Sequence, residues 1–129
     1  MAYQYYQANP KNKAVGDCVI RALCKAFNEN WYTVYTELTF QGYSMCDMPS
    51  SNAVWGQYLM NNGYKRYVIP NTCPDCYTIN DFCEDNPQGT FILCTGTHVV
   101  TAIDGTFYDS WNSGNETVIF YYEKEKENG

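Results

Sequence analysis

The chain has one histidine in 129 residues, and only 8 lysines and arginines against 14 aspartates and glutamates. The net charge of −6 removes the usual means of gripping a nucleic-acid backbone, because neutralised phosphates supply most of the non-specific affinity there. No apolar run approaches the roughly 20 residues that cross a bilayer as a helix. The opening "MAYQYYQANPKNKAV" lacks the apolar core of a secretion signal. The expectation is a cytoplasmic protein with neither nucleic acid nor membrane among its partners. With a single histidine, a zinc centre would have to rest largely on cysteine. Seven cysteines is an odd number, and without a secretion signal free thiols are the expected state. Cys73 and Cys76 in "NTCPDC" have the CxxC spacing of a redox motif or half a zinc site. Cys83 and Cys94 are the remaining partners for zinc, at irregular spacing, so no metal and no cofactor is expected.

What is present is a folded domain. Apolar residues make up 45% of the chain and charged residues 17%. The 13 tyrosines can cover apolar surface while keeping one end wet, which suits a core rim or a partner surface. The length fits a single domain over residues 1–122, followed by a charged flexible tail, "EKEKENG", over 123–129.

The first dozen residues read as extended or irregular. "DCVIRALCKAFN" then places Val19, Ala22, Leu23, Ala26 and Phe27 on one helical face, with Asp17 as the N-cap. Asn28 and Asn30 end this helix or cap the next, a short second helix in "NWYTVYTEL". A third runs from Ser50 or Ser51 to a stop at Gly63. Beyond it the pattern changes. "YKRYVI" is a strand, "TINDFCEDN" a short helix with Thr78 and Asp81 as its capping pair, and "TFILC", "HVVTAI", "TFYDSW" and "TVIFYY" are strands rich in β-branched and aromatic residues. "IDGT" is a hairpin turn, which sets Thr101 opposite Tyr108 and Ala102 opposite Phe107. Helices first and an antiparallel sheet second define an α+β domain. No internal repeat is present.

This order puts Cys18 at the mouth of an N-terminal helix and His98 at the start of a C-terminal strand. A thiol attacks a carbonyl only as thiolate, and a helix N-terminus and a nearby histidine both favour that form. Extending the hairpin outward brings His98 near residues 110 to 111, so Asp109 falls within about one residue of it. An acid there would fix the imidazole's tautomer and stabilise its charged form. Acyl transfer also needs donors for the developing oxyanion. The Cys18 backbone amide is one, the side-chain amide of Asn12 is the candidate for the second, and Gln7 is a secondary candidate.

The letters "GDC", "GTHVV" and "YDSW", in this order, resemble the papain-like cysteine peptidases, and specifically the small bacterial peptidases that clip double-glycine leader peptides from bacteriocins. Those enzymes carry an amide residue, a cysteine opening a helix, a histidine at a strand start and an asparagine or aspartate on the next strand. The resemblance implies a papain-like fold, with Cys18 as nucleophile, His98 as base, Asp109 as orienter, Asn12 on the oxyanion and Trp111 shielding the pair. Apart from the resemblance, Trp111 reads as core. Val19 stands where papain has a tryptophan.

The first functional expectation is therefore a cysteine-dependent acyl-transfer hydrolase, a peptidase acting on a peptide or protein substrate. The second is a catalytically silent papain-like scaffold that binds a partner, such as a phage or mobile-element protein that inhibits a host factor. The third is a zinc or redox role for Cys73 and Cys76.

Overall fold

A computed structural model of the chain describes residues 2–126. Their order is β1 (Tyr3–Tyr5), α1 (Cys18–Phe27), α2 (Trp31–Met45), α3 (Asn52–Asn61), β2 (Tyr64–Val68), α4 (Ile79–Asp85), β3 (Thr90–Cys94), β4 (Val99–Ile103), β5 (Thr106–Asp109) and β6 (Phe120–Lys124). The described residues thus form an α+β domain of four helices and one six-stranded sheet.

The sheet order is β1-β5-β4-β3-β6-β2. All neighbours are antiparallel except β1, which runs parallel to β5 with Tyr3 opposite Phe107 and Tyr5 opposite Asp109. The antiparallel expectation therefore fails at one edge. "YQY" carries no alternation of apolar and polar residues that would announce a strand. Tertiary pairing creates it, aided by the Phe107 amide donating to the Ala2 carbonyl and the Tyr6 amide donating to the Asp109 carbonyl.

Period-2 alternation explains why this sheet has cover on both faces. Ile92, Cys94 and Val99 join Leu23, Val34, Leu38, Trp55 and Leu59 in a core under α1, α2 and α3. Phe91, Leu93, Val100, Ala102 and Phe107 join Ile79, Phe82 and Val118 in a second core under α4. Each fully buried large side chain contributes about 1.5–3 kcal/mol. Where α3 crosses β6 the approach is close. A Cβ on Gly56 would clash with the Tyr122 hydroxyl, so any larger residue there would force the Tyr122 ring to move.

Helix α2 is longer than the short helix expected, running on to Met45 and closing in a left-handed Cys46. Its outer face carries Tyr32, Phe40 and Tyr43, which blur the apolar period beyond Leu38. Ser51 caps α3, and Thr78 with Asp81 forms a reciprocal capping box at α4. The hairpin turn has Asp104 and Gly105 both at positive φ, and Thr101 faces Tyr108. The expected tail begins too early. Glu123 and Lys124 are ladder residues opposite Lys65 and Tyr64, and residues 127–129 lie outside the described part.

Among the described residues no helix is long and apolar enough to cross a membrane. Cys73 and Cys76 are joined as a disulfide, against the expectation of free thiols, while Cys18, Cys24, Cys46, Cys83 and Cys94 are free. The turn between β2 and α4 brings the two Cα atoms within 4.2 Å, close enough for the link to form.

Candidate active site

Helix α1 starts at Cys18, but not by the capping expected. Asp17 makes no side-chain bond to the first-turn amides. Its carboxylate instead accepts from Arg21 Nη1 at 3.2 Å and from the Trp31 indole Nε1 at 2.9 Å. A guanidinium and an indole N–H outcompete the amides, because charge-assisted bonds between buried groups are the stronger ones. The first-turn amides of this ten-residue helix are consequently not satisfied by their cap, and they favour negative charge at its mouth.

His98 is placed by a tight turn. The Thr95 amide donates to the His98 carbonyl at 2.9 Å, and Gly96 takes φ +98°, a conformation that side chains resist. His98 stands one residue before β4 rather than inside it. Extending the β4–β5 register puts it opposite Trp111 and two residues from Asp109. The contact forms there: His98 Nε2 lies 2.6 Å from Asp109 Oδ2. That leaves Nδ1 as the ring nitrogen available to the thiol.

Asp109 ends β5 with no exposed surface, and it is saturated with donors. Oδ1 accepts from Arg21 Nη2 at 3.0 Å and from the Ser110 amide at 2.8 Å. Oδ2 accepts from the Ser113 hydroxyl at 2.5 Å in addition to His98. Burial alone would raise its carboxyl. The bonds from His98 and Ser113 and the charges of His98 and Arg21 outweigh burial and hold it below the usual carboxylate range.

Cys18 is half-buried in the core under α1. Burial pushes its thiol up, but hydrogen bonds from the His98 imidazole and the Val99 amide, with the charges of His98 and Arg21, bring it below its ordinary value. Burial likewise disfavours the charged imidazole, yet the bonds to Asp109 and Cys18 and their charges raise His98 from 6.5 to about 9. The two shifts have opposite sign, as a thiolate–imidazolium pair requires. The other buried thiols go the other way. Burial raises Cys24 to about 12 and Cys83 to about 11, and it raises Cys94 as well.

Of the sequence-derived candidates, Cys18, His98 and Asp109 come together. Trp111 is 46% exposed, not core, and its ring centroid lies 5.2 Å from that of His98, over one flank of the imidazole. Asn12 sits exposed in a turn at φ +53°, its amide bonded to the Asn9 carbonyl, and no side-chain hydrogen bond joins it to Cys18 or His98 among the described residues. Gln7 is half-buried and follows Tyr6, whose amide bonds the Asp109 carbonyl; Gln7 Oε1 accepts from the Asn9 amide at 3.1 Å. Arg21 and Ser113 were missed. Arg21 was detectable, since a charge lies inside the buried half of α1, four residues after an acid. Ser113, in the irregular "WNSGNE", gave no signal.

A pocket of about 220 Å³ opens between α1, α2 and the loop before α3, lined by Asp17, Val19, Ile20, Tyr35, Leu38 and Pro49; Cys18 and His98 are not among its lining residues. Among the described residues no group of three or more His, Cys, Asp or Glu side chains is gathered to hold a metal ion. Comparison with protein-family models, with curated proteins and with solved structures finds no match for the chain.

Proposed function

We propose that the chain is a cysteine-dependent acyl-transfer hydrolase of papain-like fold, acting on a peptide or protein. The observation that carries this reading is one imidazole held between a carboxylate with no exposed surface and a thiol whose acidity is raised. A structural histidine needs one partner, whereas a general acid–base needs a nucleophile on one side and an orienter on the other.

In the proposed reaction the Cys18 thiolate attacks the scissile carbonyl carbon. The oxyanion forms at the mouth of α1, against the Cys18 amide. The His98 imidazolium gives its proton to the leaving amine, and the C–N bond breaks. The neutral imidazole then takes a proton from water, the hydroxide attacks the acyl-enzyme, and Cys18 leaves as thiolate beside a re-formed imidazolium. Asp109 keeps the ring's orientation throughout and stabilises it whenever it is charged, and Trp111 keeps water off one side of the ring.

For the second oxyanion donor, Gln7 is favoured over Asn12. The Tyr6 amide ties that segment to the Asp109 carbonyl, and Gln7 Nε2 remains to donate.

Mass-spectrometric profiling of a mixed peptide library tests the proposal. Wild-type protein should cleave a subset of the peptides, and Cys18→Ala should cleave none. The proposal fails if no Cys18-dependent cleavage is found while Cys18 is fully reactive toward alkylation. The rival reading, a silent scaffold that binds a partner, is favoured by the outer face of α2, where Tyr32, Phe40 and Tyr43 are 59%, 72% and 82% exposed.

A further inference from the structure

Remote from the triad in sequence, the segment between β2 and α4 carries a closed Cys73–Cys76 disulfide that the proposed hydrolase chemistry does not use. We propose that Cys73 and Cys76 are a second reactive centre, a reversible dithiol–disulfide couple that exchanges electrons with the dithiol of another protein.

Three observations point there. The first is what the bond encloses. Residues 73 to 76 form a very short covalent loop, and the stabilisation from a cross-link grows with the chain it closes. A structural staple is therefore poorly served by this spacing. Second, the segment is fastened without the sulfurs. The Ile69 amide donates to the Ile119 carbonyl at 3.0 Å, the Tyr77 amide donates to Thr72 Oγ1 at 3.0 Å, Thr78 bridges Thr117, and the Thr78–Asp81 capping box anchors the start of α4. None of these bonds involves a sulfur of the pair. The third is access. Cys73 is exposed and Cys76 half-buried, so an incoming thiolate meets the sulfur of Cys73 first. The buried Cys24, Cys83 and Cys94 offer no such approach.

The exchange balances as follows. A thiolate of the donor dithiol attacks Cys73 Sγ, the Cys73–Cys76 bond breaks, and Cys76 leaves as a thiolate that takes up a proton. The donor's second thiol attacks its own sulfur in the mixed disulfide, releasing Cys73 as thiolate, which is protonated in turn. The donor is oxidised by two electrons to a disulfide, and the Cys73–Cys76 pair is reduced to two thiols. This chemistry is independent of the proposed hydrolase.

The test uses the full chain in a Cys18→Ser background, so the triad thiol contributes nothing. The protein is equilibrated in glutathione buffers of graded redox poise, quenched in acid, alkylated and mapped by mass spectrometry, with circular dichroism on the same samples. The expected result is a complete, reversible conversion of the pair between disulfide and dithiol across the buffer range, with an unchanged spectrum. With glutathione disulfide as probe, adding Cys76→Ser should give a mixed disulfide at Cys73 at least about tenfold faster than adding Cys73→Ser gives one at Cys76. The proposal is overturned if the pair stays oxidised at every poise, if its reduction unfolds the protein, or if neither variant forms the adduct faster than exposed Cys46.

Discussion

Arg21 offers the sharpest test of the buried polar network. Its guanidinium spans Asp17 on its own helix and Asp109 on β5, at 3.2 and 3.0 Å, with its side chain only 6% exposed. Arg21→Met keeps the stem and removes the charge, leaving two buried carboxylates short of a counter-ion. Breaking a buried pair costs about 3–5 kcal/mol. The lower end applies here, because Asp109 keeps His98, Ser110 and Ser113 as donors and Asp17 keeps Trp31. The expected loss is about 3 kcal/mol at neutral pH, or roughly 10 °C in Tm for a domain of this size. The penalty also depends on pH. Asp109's folded pKa lies below its ordinary 3.8, so its contribution is present above that value and is lost as pH falls through the folded pKa. Arg21 supplies part of that depression, so the variant has less to lose in acid, and the gap between the two proteins should narrow below about pH 4. Urea unfolding followed by circular dichroism at several pH values reads both effects. A loss below about 1 kcal/mol, or a gap that stays constant into acid, would refute the assignment of charge-pairing to this residue.

Four further outcomes are expected. His98 is raised from 6.5 to about 9, so its contribution to stability is full below 6.5 and is lost as pH rises through about 9; His98→Gln should remove that alkaline decline in urea titrations. Asp109→Asn should shift the alkaline limb of Cys18 reactivity to lower pH, because the imidazolium loses its carboxylate, and rate–pH profiles of alkylation would show it. If the chain cleaves peptides, Gln7→Ala should lower kcat by about 10²–10³ while Asn12→Ala leaves it near wild type, as steady-state kinetics would reveal. Leu59→Ala, at a fully buried site under α3, should cost about 2–5 kcal/mol in chemical denaturation.

The parts legible in the sequence were those written in local patterns. Val19, Ala22 and Leu23 mark α1 by period, and Asp104–Gly105 marks the hairpin by backbone chemistry, which fixes the register that carries His98 toward Asp109. The α+β class follows from segregation of the two patterns. The unread parts are tertiary choices. "YQY" becomes a strand only because β5 offers an edge. Asp17 has the sequence signature of an N-cap, but Arg21 and the Trp31 indole claim its carboxylate once three elements meet. Trp111 looks like core by composition, yet it lies half-exposed over His98. Spacing favoured Asn12 for the oxyanion, and the turn closed by its amide on the Asn9 carbonyl, with Asn12 at positive φ, was not legible in it. The Cys73–Cys76 link depends on a loop conformation that spacing permits without dictating.

The central claim is a thiolate–imidazolium pair at Cys18 and His98. Its most direct test is the pH dependence of iodoacetamide alkylation at Cys18, read by mass spectrometry against exposed Cys46 in the same molecule, for wild type and His98→Ala. The account predicts that Cys18 outpaces Cys46 below about pH 7 in wild type and loses that advantage without His98. A Cys18 that titrates as an ordinary thiol near 8.5 in both proteins, or that never reacts, would contradict it.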